Sequence, residues 1–154
     1  MAEMTAKQRA LRLLERRDYS RRELVLKLTE KGEPLEEAEA VADRFVELGV
    51  INDERYGRML VRHYGTKGYG ACRIKQELYR HGVSTDLWDN VMEELPTQEQ
   101  VMDKLFRQKL GQGVPDRSQL KKATDALLRR GFSWSEIESC RRRVLEGMDC
   151  ETLE

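Results

Sequence analysis

Three cysteines, Cys72, Cys140 and Cys150, are an odd number with no CxxC among them. That gives neither a disulfide framework nor the ligand spacing of a zinc site, so reduced thiols are the simplest expectation. No apolar run approaches the roughly 20 residues a membrane span requires. The opening stretch MAEMTAKQRALRLL has no apolar signal core, so a cytoplasmic protein away from membranes is expected. Strand vocabulary is nearly absent. Apolar residues make up only 39% of the 154 positions and charged residues 36%. A single thick core is therefore not expected, whereas a thin stack of helices needs less buried surface per residue.

Catalytic patterns are missing as well. No serine sits in a GxSxG elbow, and no GxxxxGK[ST] loop is present to cradle nucleotide phosphates. The two histidines, His63 and His81, form no constellation with a nucleophile. His81 lies at the end of a helical segment, where a cation suits the helix dipole. These absences argue against an enzyme, and no cofactor or metal is expected. Cys72 lies near a helix start, which favours a thiolate, but reads more simply as an ordinary small residue.

Net charge is zero, yet charge is strongly patterned along the chain. Residues 1–32 carry +4, residues 33–54 carry −7 and residues 55–82 carry +6. Residues 83–103 carry −6, residues 104–131 carry +6 and residues 132–154 carry −3. The blocks match the span of one or two helices. They fit either solvated helices whose charges pair, or basic stripes that face an anionic partner.

Helix signals are dense. The three prolines, Pro34, Pro96 and Pro115, all lie between apolar-periodic segments. Ser20 with Glu23, and Ser133 with Glu136, match capping boxes, and Thr97 after Pro96 is a third candidate cap. The helix begun at Ser20 should run to about Lys31 and close at Gly32. Upstream helices are expected over Thr5–Arg17, Asp53–Tyr64 and Gln98–Leu110, with Thr66–Gly70 a short glycine-rich connection.

An internal repeat organises these signals. Gly32, Gly82 and Gly131 are spaced 50 and 49 residues apart. Eight residues before them stand Leu24, Ile74 and Ala123, and four before stand Leu28, Leu78 and Leu127. Lys31, Arg80 or Arg130 precedes each glycine directly or by one place more. Six after come Ala38, Trp88 and Ile137; nine after, Val41, Val91 and Cys140; thirteen after, Phe45, Leu95 and Val144. These offsets trace one helix face before each glycine and one after it. They make Trp88 and Cys140 core residues. The fold expected is all-α, with nine helices in three tandem three-helix repeats forming an elongated, curved helical stack. The repeats span 1–51, 52–96 and 97–147, with a tail over 148–154.

Arg55, Arg58 and Arg62 share a helical face, and Lys67, Tyr69, Arg73, Lys75 and Arg80 follow, with Glu77 the only acid between Arg55 and Gly82. Arg73 and Glu77 have i, i+4 spacing, while the other cations lack local acids and invite a phosphate backbone or an acidic protein face. The bland alternative is a solvated face balanced by neighbouring acidic helices. Lys121, Lys122, Arg129 and Arg130 form a secondary basic patch. Arg9, Arg12, Arg16, Arg17, Arg21 and Arg22 form a third cluster.

The run INDERYGRMLVRHYGTKGYGACRIKQELYRHGVS, residues 51–84, resembles the signature of the RecX regulatory family. The DERY opening, the KGYG turn and the RIKQEL helix carry the likeness. ALRLLERRDYSRRELVLKLTEKG, residues 10–32, resembles the same family, and LLRRGFSWSEI, residues 127–137, does so more loosely. The resemblance implies tandem three-helix repeats and a place in recombination, DNA repair and the SOS response. It implies a protein that lodges in the groove of the RecA filament on DNA, or caps its growth, and inhibits strand exchange, ATP hydrolysis and co-protease activity. Single- or double-stranded DNA is a further implied partner. Filament contact is then assigned to Arg55, Arg58, Arg62, Lys67, Tyr69, Arg73, Lys75 and Arg80, with Tyr69 the least secure of the set. Competing readings are a helix-turn-helix-like DNA-binding module acting without RecA, and a generic helical adaptor. No heptad seam is left over, so a monomer is expected.

Overall fold

Backbone hydrogen bonding at the helix ends sets the architecture. The computed structural model describes residues 3–152, with side chains as far as Met148. Nine α-helices and two short 3₁₀ turns, and no strand, occur among the described residues. Helix α1 (Ala6–Arg16) starts at Thr5, whose hydroxyl accepts the Gln8 N–H while the Gln8 side chain accepts the Thr5 N–H. Ser20 and Glu23 form the same reciprocal box at α2 (Arg21–Glu30). Helix α3 (Leu35–Glu47) follows Pro34. Helix α4 (Asp53–Thr66) has the Arg55 N–H bound to the Asn52 side chain, and the TKGYG connection leads into α5 (Ala71–Arg80).

Helix α6 (Trp88–Val91) is a single turn between 3₁₀ turns at Thr85–Leu87 and Met92–Glu94. Helix α7 (Glu99–Leu110) precedes α8 (Arg117–Arg129), which is boxed by Asp116 and Gln119. Ser133 and Glu136 box α9 (Trp134–Thr152), whose helical backbone continues through residues expected as a tail. Leu153 and Glu154 lie outside the described residues, as does the Cys150 side chain.

The three repeat glycines end α2, α5 and α8 in the same way. Gly32, Gly82 and Gly131 have φ of 97°, 81° and 92°, a region in which a Cβ is disfavoured. The N–H after each glycine reaches the carbonyl of the leucine four residues before it: Glu33 to Leu28 at 3.0 Å, Val83 to Leu78 at 2.9 Å, Phe132 to Leu127 at 3.2 Å. Each glycine N–H bonds the carbonyl three residues back. This pair of bonds is a Schellman motif, which satisfies carbonyls that the helix end leaves orphaned.

The repeat offsets find the core. Leu24, Ile74, Ala123, Leu28, Leu78 and Leu127 are buried, as are Ala38, Ile137, Val91, Cys140, Phe45 and Val144. Val41, Trp88 and Leu95 are only partly buried. The last two belong to the middle repeat, where the expected continuous third helix is broken. Its sequence TDLWDNVMEE holds two aspartates and an asparagine, weak helix formers that compete with the backbone for hydrogen bonds. The indole of Trp88 donates to the Val83 carbonyl at 3.0 Å instead of sinking into the core. Thr97 does not cap α7. The cap position is Gln98, whose buried amide donates to the Tyr69 carbonyl at 2.6 Å.

The chain divides into two compact units. One comprises residues 1–60 and 77–93, the other residues 61–76 and 94–154. The division passes through α4 and α5. The first unit's core is built on Leu24, Leu28, Ala38 and Phe45 from α2 and α3, with Ala10 and Leu13 from α1. The second is built on Met102, Phe106, Leu127, Ile137 and Cys140 from α7, α8 and α9. Burial pushes the Cys140 thiol up to about 12, as expected of a core residue and not a reactive one.

Candidate partner-binding surface

The carbonyl directly preceding each repeat glycine receives a donor from another part of the chain. In the first unit the Ser20 hydroxyl, besides capping α2, donates to the His81 carbonyl at 2.6 Å. In the second unit the Gly70 N–H donates to the Arg130 carbonyl at 2.7 Å and the Cys72 N–H to the Gly131 carbonyl at 3.2 Å. Ser20 and Gly70 each stand 12 residues before their own repeat glycine, so the two joints are equivalent in the repeat. A Cβ on Gly70 would fall 2.5 Å from the Gly131 backbone, which explains the KGYG glycine. The third carbonyl, of Lys31, receives the Arg9 guanidinium at 3.4 Å.

The first unit's joint carries a polar cluster that sequence spacing did not show. His81 Nδ1 lies 3.2 Å from Glu23 Oε2 and 3.3 Å from the Tyr56 hydroxyl. His81 Nε2 lies 3.7 Å from Glu77. Burial raises the Glu23 carboxyl pKa. The Ser20 N–H, hydrogen bonds from Tyr56 and His81, and the Arg17 charge outweigh it and hold the group below its usual range. Burial, with the hydrogen bond to Glu23, pushes the Tyr56 phenol up.

The eight residues of the expected basic stripe fall in both units and differ in their surroundings. In the first unit Arg55 is exposed, its guanidinium donating to the Val50 carbonyl at 3.2 Å. Arg58 is half-buried, 3.1 Å from Glu54 and 3.9 Å from Glu93. Arg80 is exposed and 3.8 Å from Glu77. In the second unit Arg62 lies 3.7 Å from Glu94. The expectation that these cations lack acidic partners is therefore corrected for Arg58, Arg62 and Arg80. Glu54 stands just outside the stretch counted in sequence, and Glu93 and Glu94 are over 30 residues away.

Lys67 and Lys75 are exposed and hold no ion pair among the described residues. Tyr69 is part of the unit's own fabric. Its ring lies 5.7 Å from the Arg73 guanidinium and 5.5 Å from that of Arg130, with its edge against Tyr64. Arg130 also donates to the Lys67 carbonyl at 3.1 Å, so it is anchored and does not belong to a free patch. Lys121, Lys122 and Arg129 remain exposed on α8 without ion pairs among the described residues.

Two exposed aromatics escaped the sequence reading. Tyr79 is 64% exposed and Trp134 is 60% exposed. The signal was present: they stand three residues before and three after a repeat glycine, off the core offsets. Leu128 and Leu35 occupy the corresponding places in other repeats and are exposed too.

The family model "RecX, first three-helix domain" matches residues 6–45, and "RecX, second three-helix domain" matches residues 52–92. A "Regulatory protein RecX" of Stenotrophomonas maltophilia (strain R551-3) is 39% identical over 143 residues, spanning 91% of this chain and 87% of the relative. One of Xanthomonas campestris pv. campestris (strain B100) is 38% identical over 147 residues, spanning 94% and 90%. A crystal structure of regulatory protein RecX superposes with a TM-score of 0.81 at 24% identity, covering 89% of this chain and 71% of the other. The crystal structure of RecX from Lactobacillus salivarius does so with a TM-score of 0.76 at 20% identity, covering 90% and 94%. These structural likenesses bear on the fold. No helix among the described residues is long and apolar enough to cross a membrane.

Proposed function

The chain belongs to the RecX family of regulatory proteins, a family of non-enzymatic regulators, and we propose that it binds the RecA recombinase filament on DNA. In doing so it restrains strand exchange, ATP hydrolysis and co-protease activity, by seating in the filament groove or capping the growing end. The observation that carries this reading is the likeness to regulatory proteins RecX along nine-tenths of the chain. A filament repeats its protomers, and a chain of repeats meets it with modest affinity per contact and gains by multivalency. Inhibition then needs only tighter binding to one filament state than to another.

Filament contact is assigned to the stripe of Arg55, Arg58, Arg62, Lys67, Tyr69, Arg73, Lys75 and Arg80, with Lys67 and Lys75 contributing most directly because no acid engages them. Arg58 and Tyr69 act chiefly by holding their own surroundings. Exposed Tyr79 and Trp134 suit the role of aromatic anchors at such an interface. DNA-dependent ATP hydrolysis by the cognate RecA, measured with substoichiometric amounts of this protein across a salt range, tests the reading. Inhibition well below one molecule per recombinase protomer is expected, weakened by Lys67→Gln with Lys75→Gln. Unchanged hydrolysis at every ratio, with filaments verified as present, sinks it.

A second reading, a DNA-binding module acting without RecA, is favoured by exposed Lys121, Lys122 and Arg129 on α8. It predicts direct DNA affinity that falls steeply with salt and that Lys121→Gln with Lys122→Gln reduces.

A further inference from the structure

We infer that a cleft beside α1 in the first unit is a binding site for a phosphate-bearing ligand, separate from the proposed filament contacts. Arg9, Arg12 and Arg16 stand at i, i+3, i+7 on one helix face. They border a cleft of about 400 Å³ together with Lys31, and Met4 and Leu13 form its apolar wall. Glu15 is the one acid on the lining. The volume lies in the range of small-molecule sites.

Two other arginines of this sequence cluster are already engaged, while Arg22 is exposed and does not line the cleft. Arg17 pairs with Glu23 and lies over the Tyr19 ring, and Arg21 is 2.7 Å from Asp43. Arg9 is 3.1 Å from Glu33. Arg12, Arg16 and Lys31 hold no ion pair among the described residues. Arg12 and Arg16 are four residues apart, a spacing at which like charges repel, and an anion between them would relieve that repulsion. A single carboxylate is matched by one guanidinium fork. Two forks and an ammonium around one cleft match the several oxygens and higher charge of a phosphate, which Arg grips bidentately. The Met4 and Leu13 wall then takes the apolar part of the ligand. A free nucleotide and the end of a nucleic-acid strand share this chemistry.

Pyrophosphate titrated into the full chain is the first probe, followed by the Met4 and Leu13 methyl signals and by calorimetry. Saturable shifts of those methyls are expected. Arg12→Gln with Arg16→Gln should weaken binding by roughly tenfold or more, and Lys31→Gln should do so separately, with helical content unchanged. Lys104→Gln with Lys109→Gln, an equal loss of charge on α7, should change it by less than about twofold. No saturable shift overturns the inference, as does an equal loss for both pairs of variants, or a poly-glutamate peptide that competes as well as pyrophosphate. Displacement of pyrophosphate by ADP identifies a free nucleotide as the ligand. Displacement by a 5′-phosphorylated oligothymidine identifies a strand end. Displacement by neither overturns the assignment.

Discussion

The joint at Gly82 and the joint at Gly131 occupy the same place in the repeat and are made with different chemistry. In the first unit a side-chain hydroxyl, Ser20, reaches the His81 carbonyl, Glu23 and Tyr56 flank the imidazole, and Arg17 donates to the Tyr56 hydroxyl. In the second, bare backbone meets bare backbone: Gly70 N–H on the Arg130 carbonyl, with glycine against glycine. A repeat can thus preserve a geometry while exchanging side-chain for main-chain donors. A side-chain joint tolerates adjustment and responds to pH. A main-chain joint leaves no room for a Cβ.

The sharpest way to break this comparison is to add one methyl group on the tight side. Gly131→Ala forces a Cβ into the Arg73 backbone as well as a disfavoured φ, and should cost about 3 kcal/mol or more in chemical denaturation. Gly70→Ala, with an ordinary φ, isolates the steric part and should cost about 2 kcal/mol. A loss below about 0.5 kcal/mol for either would show that the joint yields.

Next in size is Ser20→Ala, which removes a helix cap and the 2.6 Å bond to His81 together. About 2 kcal/mol is expected from the two roles, and Ser20→Thr should restore most of it. Gly32→Ala is the reference among the glycine turns. Its φ is 97°, but nothing lies within 4 Å of the added Cβ. Only the backbone penalty of about 1 kcal/mol should appear. A cost equal to that of Gly131→Ala would remove the crowding argument.

The smallest effect is also the most specific. The Glu23 carboxyl is held below its usual range in the fold. The stability it contributes is therefore present above its unfolded pKa and disappears as pH falls through the lower folded value. Glu23→Gln should cost about 1 kcal/mol at neutral pH and flatten the acid limb of the stability profile. An unchanged acid limb would mean that the cluster does not act through this charge.

Much of the fold was legible because its determinants are local. Offsets of −8, −4, 6, 9 and 13 from the glycines predicted buried positions in all three repeats, and Ser20 and Ser133 marked helix starts correctly. The pattern weakened at Trp88 and Leu95, where the broken α6 region departs from the 3.6-residue period that the offsets assume. The candidate surface was less legible. Arg58 and Arg62 read as unpaired because their acids, Glu93 and Glu94, are over 30 residues distant. Arg130 read as part of an open patch, yet its guanidinium grips the Lys67 carbonyl 63 residues back. Tyr79 and Trp134 were passed over because exposure of an apolar residue is a property of the packed surface.

By itself the sequence determined where most helices start and stop, outside the broken α6 region and the end of α9, which face of each is apolar, and where the chain needs a left-handed turn. It also carried the signature that places the chain in its family. These depend on residues within one or two helical turns, so order along the chain is enough to read them. Only the tertiary structure decided which cations are neutralised, which carbonyls the joints satisfy, and that Arg12, Arg16 and Lys31 border one cleft. Those outcomes rest on distances of a few ångströms between residues tens of positions apart, which packing brings about and local spacing does not encode.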